Sequence, residues 1–311
     1  MNRFAALGVL CALAPSPIQA QEDDVFQRVE HHFVDSDGVG IHYVSLGEGP
    51  LVVMIHGFPD YWYTWRHQMA ALAHDHRVVA MDQRGYNRSD HPEGTEQYAM
   101  SNLVRDVIAV IRDAGEERAT VVGHDWGAAV AWQLAMRFPE VVERLVILSV
   151  PHPAGFSREL SSNEEQVADS RYARDFQAPD SHEPLTAEGL ASWVSEPLAR
   201  ARYVEAFRRS SFVAMMDYYR ANYPSATPTD AGAKAQPASA VSYPRVKCPV
   251  LVLHGLLDRA LHAAGHNGTW DWVDGDTTLV VFPKAGHFVQ HDEARKVTDT
   301  MVDWLSRTSE R

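Results

Sequence analysis

Cysteine is nearly absent from this chain of 311 residues, which has two, Cys11 and Cys248. A framework of disulfides is thereby excluded as the source of its stability. Positive charge is also short: 28 Lys and Arg stand against 41 Asp and Glu, for a formal net charge of −13. That balance excludes broad electrostatic binding to nucleic acid or to an anionic membrane surface, and leaves a small neutral ligand open. No apolar run reaches the roughly 20 residues of a membrane-inserted helix, and no internal repeat is visible. What is present, 45% hydrophobic and 22% charged residues, suits a folded globular chain long enough for one large domain or two small ones.

The first twenty residues have the parts of an export signal. Asn2-Arg3 is a short positive start, residues 4–14 are apolar, and Pro15-Ser16-Pro17-Ile18-Gln19-Ala20 is a cleavage region, with Ile18 larger than the usual small residue. The expectation is a signal peptide over 1–20 and a periplasmic or secreted mature chain. Cleavage after Ala20 removes Cys11, so Cys248 is left with no partner even in an oxidising compartment.

Beyond it, strand and helix alternate. Residues 29–34 and 40–46 alternate around Asp35-Ser36-Asp37-Gly38 and read as a hairpin. Leu51-Val52-Val53-Met54-Ile55 is continuously apolar, as a strand buried on both faces of a parallel sheet must be. Strands at 78–81, 119–122 and 145–150 follow, with helices from about residue 62, over 100–113 and over 127–138 between and after them. From 151 to 244 buried-strand runs stop: 190–211 and 212–221 read as helices and 227–240 as a connector rich in Ala, Pro, Thr and Asp. Strands at 250–253 and 278–282 and a helix from about 292 to 305 resume the pattern. The expected fold is α/β, a mostly parallel central sheet with helices on both faces. Its core is 21–151 and 245–311, and a helical lid over 152–244 is inserted where such sheets bind ligands, at the strand carboxyl ends.

The chemistry centres on Gly123-His124-Asp125-Trp126-Gly127, between a short strand and a helix. G-x-D-x-G in that setting is a nucleophile elbow with aspartate in place of serine; an Asp capping a helix after a glycine turn is the plainer alternative. A carboxylate nucleophile suits attack on saturated carbon and leaves an ester, whose hydrolysis needs a base and an orienter for that base. Of the sixteen histidines, His287 lies in the loop just past the last strand, at the sheet end that bears the elbow. His31, His32, His67, His74 and His76 fall on an edge hairpin or helix faces, and His56 and His124 suit structural hydrogen bonding. For the acid, Asp258 follows the strand at 250–253. The other strand end that could supply it, Ser149-Val150-Pro151-His152-Pro153, holds no carboxylate. Asp125, Asp258 and His287 then stand in the order nucleophile, acid, base.

Four segments, His56-Gly57-Phe58-Pro59, Arg84-Gly85-Tyr86-Asn87-Arg88-Ser89-Asp90, the elbow, and Gly286-His287-Phe288, make the chain resemble an α/β-hydrolase of the epoxide hydrolase family over nearly all of 28–308. Haloalkane and haloacetate dehalogenases share most of these segments. Epoxide hydrolases also carry a Tyr-x-x-x-Phe-Gln-x-Pro segment, similar to Tyr172-Ala173-Arg174-Asp175-Phe176-Gln177-Ala178-Pro179, and a tyrosine before an arginine, similar to Tyr218-Tyr219-Arg220. Asp180 stands where glycine commonly follows that proline. The resemblance implies that Tyr172 and Tyr219 bond the epoxide oxygen, and that the N–H groups of Phe58 and Trp126 form an oxyanion site. It also implies that water and a small epoxide are the only reactants, with no metal or organic cofactor. Dehalogenases often place Asn at the position of Phe58 to hold halide, which Phe58 cannot do. The competing functions are a hydrolytic dehalogenase and a catalytically silent ligand binder, the latter disfavoured by five intact catalytic side chains.

Overall fold

The structure is a computed structural model that describes residues 24–224 and 242–308. The expected signal peptide and the connector at 227–240 lie outside the described residues.

Eight strands form one sheet in the order β1-β2-β4-β3-β5-β6-β7-β8. They are β1 (Glu30–Ser36), β2 (Val39–Leu46), β3 (Leu51–Ile55), β4 (Arg77–Met81), β5 (Ala119–His124), β6 (Val142–Leu148), β7 (Val250–Gly255) and β8 (Thr277–Phe282). Among these, β2 runs against its neighbours β1 and β4, and β3 to β8 are parallel. The hairpin turn is shorter than the sequence suggests. Asp37 and Gly38 alone make it, both at positive φ (54° and 85°), the geometry of a type I′ turn whose twist matches the strands. All five residues of β3 are buried, as its unbroken apolar run requires.

The crossovers are helical. α1 (Arg66–Leu72) follows a 3₁₀ turn at Trp62–Trp65, α2 (Met100–Asp113) precedes β5, α3 (Trp126–Arg137) follows it, and a terminal helix (Ala294–Thr308) follows β8. In α2 the apolar positions recur at helical spacing, and Leu103, Val104, Val107, Ile108, Val110 and Ile111 are buried. The strand expected at 145–150 begins and ends earlier, at Val142–Leu148, because Ser149 leaves the extended region with φ 70°.

Between β6 and β7 every described element is helical: α4 (Pro153–Ser162), α5 (Glu164–Asp169), α6 (Arg171–Asp175), a short turn at Ala187–Leu190, α7 (Pro197–Arg209) and α8 (Phe212–Asn222). The helix read over 190–211 is therefore broken. Proline can only open a helix, and Pro197 sits in the first turn of α7. Asn163 caps α5 by accepting the N–H groups of Glu165 and Gln166, and Ser211 caps α8 through Ala214 N–H. This insertion is fastened down by buried polar contacts. Tyr203 Oη donates to Asp60 Oδ1 at 2.7 Å, Tyr218 Oη donates to the Arg84 carbonyl at 2.8 Å, and Arg202 pairs with Asp24. Trp193 stacks flat on Phe288, ring centroids 4.0 Å apart.

Candidate active site

The parallel strands deliver the functional residues to one end. β5 runs straight into Asp125, Asp258 lies three residues past the end of β7, and His287 lies five past the end of β8. Asp125 has φ 50° and ψ −125°, a strained conformation for a residue with a Cβ, held between β5 and the start of α3. The flanking chain has no room for side chains. A Cβ on Gly127 would lie 2.1 Å from the Ile55 carbonyl oxygen, and one on Gly57 would lie 2.3 Å from Asp125 Oδ1. Gly127 is thus set by the close approach of the end of β3 to the turn after β5, and Gly57 by the Asp125 side chain that lies against it.

Asp125 Oδ1 accepts the Phe58 N–H at 2.7 Å, and Oδ2 lies 3.4 Å from His287 Nε2. On the other side of the ring, His287 Nδ1–H donates to Asp258 Oδ2 at 2.9 Å. The Asp258 side chain is fully buried, and its Oδ1 accepts Ala260 N–H at 2.8 Å and Leu261 N–H at 3.1 Å. With both oxygens engaged, Asp258 fixes the tautomer and the ring plane of His287 and leaves Nε2 facing Asp125. The structure therefore brings Asp125, His287 and Asp258 together in one relay, as the sequence order requires.

Charge completes the relay. Burial opposes ionisation of Asp125, but the hydrogen bond and charge of His287, then His124 and the Phe58 N–H, outweigh it and hold the carboxyl below its ordinary range. Asp258 is depressed in the same sense: burial is overcome by the charge and hydrogen bond of His287 and by the Leu261 N–H. Burial would lower His287, yet the charge of Asp258 and hydrogen bonds to Asp125 and Asp258 push it up to about 10. The resting relay is an imidazolium between two carboxylates.

Above Asp125 a cavity of about 240 Å³ opens between the core and the insertion, lined by Asp125, Trp126, Tyr172 and Tyr219 at its reactive end. Tyr172 comes from α6 and Tyr219 from α8, and their rings meet edge to face at 6.3 Å. Tyr219 is 3% exposed and also packs edge to face on Trp126, at 5.1 Å, and on Phe58, at 5.8 Å. Burial, and next the Asp125 carboxylate, raise both phenols well above their ordinary value, so each keeps its proton and can donate it. Trp126 opens α3, where a first-turn N–H has no intrahelical acceptor.

The other motif residues build scaffold. Arg84 forks onto Asp106 through Nε and Nη2 at 2.7 and 2.6 Å, and Asn87 donates to Asp82 at 2.8 Å. His56 Nε2 accepts the Gln83 N–H at 3.0 Å, and His124 Nε2–H donates to the His287 carbonyl at 2.9 Å, so both serve structural hydrogen bonds. Gln177, which the sequence marks only as one letter of the tyrosine motif, bridges two elements. Its side-chain amide donates to the carbonyls of Tyr219 (3.1 Å) and Tyr223 (2.9 Å) and ties the α6 end to α8. The further aromatic lining of the cavity, Trp132, Phe156, Tyr223 and Tyr243, is drawn from four separate stretches and carries no sequence pattern.

The profile of the alpha/beta hydrolase fold family matches residues 50–294. The AB hydrolase superfamily protein YfhM of Bacillus subtilis is 34% identical over 295 residues, 89% of this chain and 98% of that protein. Epoxide hydrolase 3 of Xenopus tropicalis is 32% identical over 283 residues, 86% of this chain and 75% of that one. The crystal structure of the Bacillus megaterium epoxide hydrolase in complex with an inhibitor superposes with a TM-score of 0.78 at 32% identity, covering 88% of this chain and all of that one. With that match on top of a parallel sheet, a carboxylate elbow and a helical insertion, the chain belongs to the α/β-hydrolase fold family, on its epoxide hydrolase branch.

Proposed function

We propose that this enzyme hydrolyses a small epoxide to a vicinal diol in two steps through an ester on Asp125. One observation carries the reading: Asp125, on a strained turn, meets the His287–Asp258 pair on one side and shares a cavity with the phenols of Tyr172 and Tyr219. In the first step Asp125 attacks a ring carbon and the C–O bond breaks. Tyr172 and Tyr219 hydrogen-bond the departing oxygen, and one of them transfers its proton to it. Ester formation removes the negative charge opposite His287, so the imidazolium becomes a stronger acid and restores that proton. In the second step the now neutral His287, held by Asp258, takes a proton from water as hydroxide adds to the ester carbonyl. The N–H groups of Phe58 and Trp126 bind the resulting oxyanion. Collapse expels the diol alkoxide, which takes the proton from His287, and the new carboxyl of Asp125 ionises to return a proton to the ring. Protons balance over the cycle.

The shape of the cavity bounds the substrate. An apolar cavity of roughly 150 Å³ accommodates benzene. The present one, about 240 Å³ with Trp132, Phe156, Tyr223 and Tyr243 in its lining, suits an oxirane bearing one aromatic ring. Purified enzyme assayed against phenyl oxirane, a long-chain alkyl oxirane, a polycyclic arene oxide and a bromoalkane is expected to turn over the first fastest. In single turnover in oxygen-18 water, label should enter the Asp125 carboxylate and not the first diol. Bromide release without diol formation would transfer the site to dehalogenation.

We further propose export, with residues 1–20 removed. The mature protein from its native host should then begin at Gln21 by intact mass, and a chain beginning at Met1 inside the cell would end that proposal.

A further inference from the structure

Ser149 lies where the sequence offers a second position for the catalytic acid, at the end of β6, and has a hydroxyl instead of a carboxylate. Its backbone is in the left-handed region, φ 70°, although it is not glycine. Such a conformation persists only where the surroundings over-determine it, and it gathers at functional sites. Three contacts determine it here. The Ser149 N–H donates to the Leu253 carbonyl at 2.9 Å, which extends the β6–β7 ladder by one bond. Its own carbonyl accepts His254 Nδ1–H at 3.2 Å, and the same nitrogen lies 3.0 Å from His266 Nε2. Its Oγ–H donates to the backbone carbonyl of His287 at 2.8 Å.

That last bond has a companion. The His287 carbonyl also receives Nε2–H of His124, at 2.9 Å, so both of its lone pairs are taken. Burial, and then the charge of His287, lower His124 to about 4, so its single proton can serve only this bond. One donor comes from the residue before the nucleophile and the other from the end of the next strand. The backbone of the catalytic loop is thereby pinned to the strand ends that carry the elbow. The imidazole needs such a fixed origin. It must hold Asp258 at 2.9 Å and face Asp125 at 3.4 Å at once, and a shift of the loop would break one of these.

We infer that Ser149 is a positioning residue for the hydrolytic half-reaction, acting through the His287 carbonyl to hold the base in line with the ester. The assignment rests on the two-step reading above. Two variants separate a role for the hydroxyl from a role for the turn: alanine lacks only the hydroxyl and keeps the strain of φ 70°, whereas glycine lacks the whole side chain and adopts φ 70° without strain. Ser149→Gly and Ser149→Ala are the test, with ring opening and ester decay followed separately by rapid quench and intact mass with phenyl oxirane. Both variants should open the ring within about twofold of wild type while ester decay slows roughly three- to tenfold, the share of one net hydrogen bond. Thermal unfolding should diverge, with Ser149→Gly unfolding at a higher temperature than Ser149→Ala because it relieves the strain at φ 70°, while their ester decay should still agree. Wild-type ester decay in Ser149→Gly, or equal slowing of both half-reactions, overturns the assignment. Should Ser149→Ala not fold, Ser149→Gly decides alone. Absence of any ester in wild type and in His287→Gln overturns the two-step reading and this assignment with it.

Discussion

His287→Gln is expected to react once with an epoxide and stop, carrying the mass of one substrate on Asp125. Glutamine fills much of the imidazole's space but cannot take a proton from water, and loss of a positioned general base costs about 10²–10⁴ in the step it serves. The ring-opening step survives because it needs Asp125 ionised and the two phenols protonated, and His287 is not the only support for either. The Phe58 N–H still binds Asp125 Oδ1, at 2.7 Å. The effect on pH follows from sign. His287 depresses Asp125, so removing its charge raises that carboxyl, and the acid limb of ring opening should move to higher pH than in wild type. At neutral pH the carboxylate still reacts. Asp125→Ala in the same background should gain no mass, and Asp258→Asn should accumulate less ester than His287→Gln, because its imidazole is present but loses its orienter. Intact mass after mixing with excess phenyl oxirane reads all three. If His287→Gln gains no mass while wild type makes diol, water attacks the epoxide directly and the ester is not on the path.

The elbow and the relay were legible because each depends on local chain geometry. A continuous apolar run followed by G-x-D-x-G leaves few conformations for Asp125, and the strand-end positions of Asp258 and His287 follow from the period of the sheet. The hairpin was legible for the same reason, though its turn proved to be Asp37-Gly38 alone. Less was visible where the outcome depends on contacts between distant segments. Pro197 itself rules out one helix over 190–211, but where the chain before it stops being helical is not visible, since Ala191-Ser192-Trp193-Val194-Ser195-Glu196 fits a helix as well as a loop. The backbone of Ser149 could not be read either: its positive φ is imposed by Leu253, His254 and the loop of His287, all more than a hundred residues away. Tyr172 and Tyr219 could be placed opposite Asp125 only through a family resemblance. From residues alone, a tyrosine in an inserted helix is a packing residue, and the arrangement of α6 and α8 over Asp125 depends on ties such as Gln177 to the Tyr219 and Tyr223 carbonyls.

Those two tyrosines carry the second large effect. Tyr172→Phe and Tyr219→Phe each remove one hydroxyl and keep the ring, so the edge-to-face contacts of Tyr219 with Phe58, Trp126 and Phe176 are retained. A hydrogen bond that strengthens as negative charge grows on the leaving oxygen contributes about 1.5–3 kcal/mol, so each single variant should open the ring about ten- to a hundredfold more slowly. In the proposed mechanism the pair acts on one oxygen, and one remaining phenol can still supply the proton. The double variant loses the last donor and leaves an alkoxide to depart in a buried cavity with nothing to bond it. Its ring opening should therefore fall by more than the product of the two single effects, a coupling that a double-mutant cycle measures directly. Ester decay has no need of either hydroxyl, so ester preloaded under forcing substrate concentration should decay at close to the wild-type rate. Halide displacement needs no proton, so any residual activity toward a bromoalkane should be untouched by the same substitutions. A double variant that opens phenyl oxirane near the wild-type rate would reduce both side chains to packing and remove the feature that distinguishes epoxide from halide chemistry at this elbow.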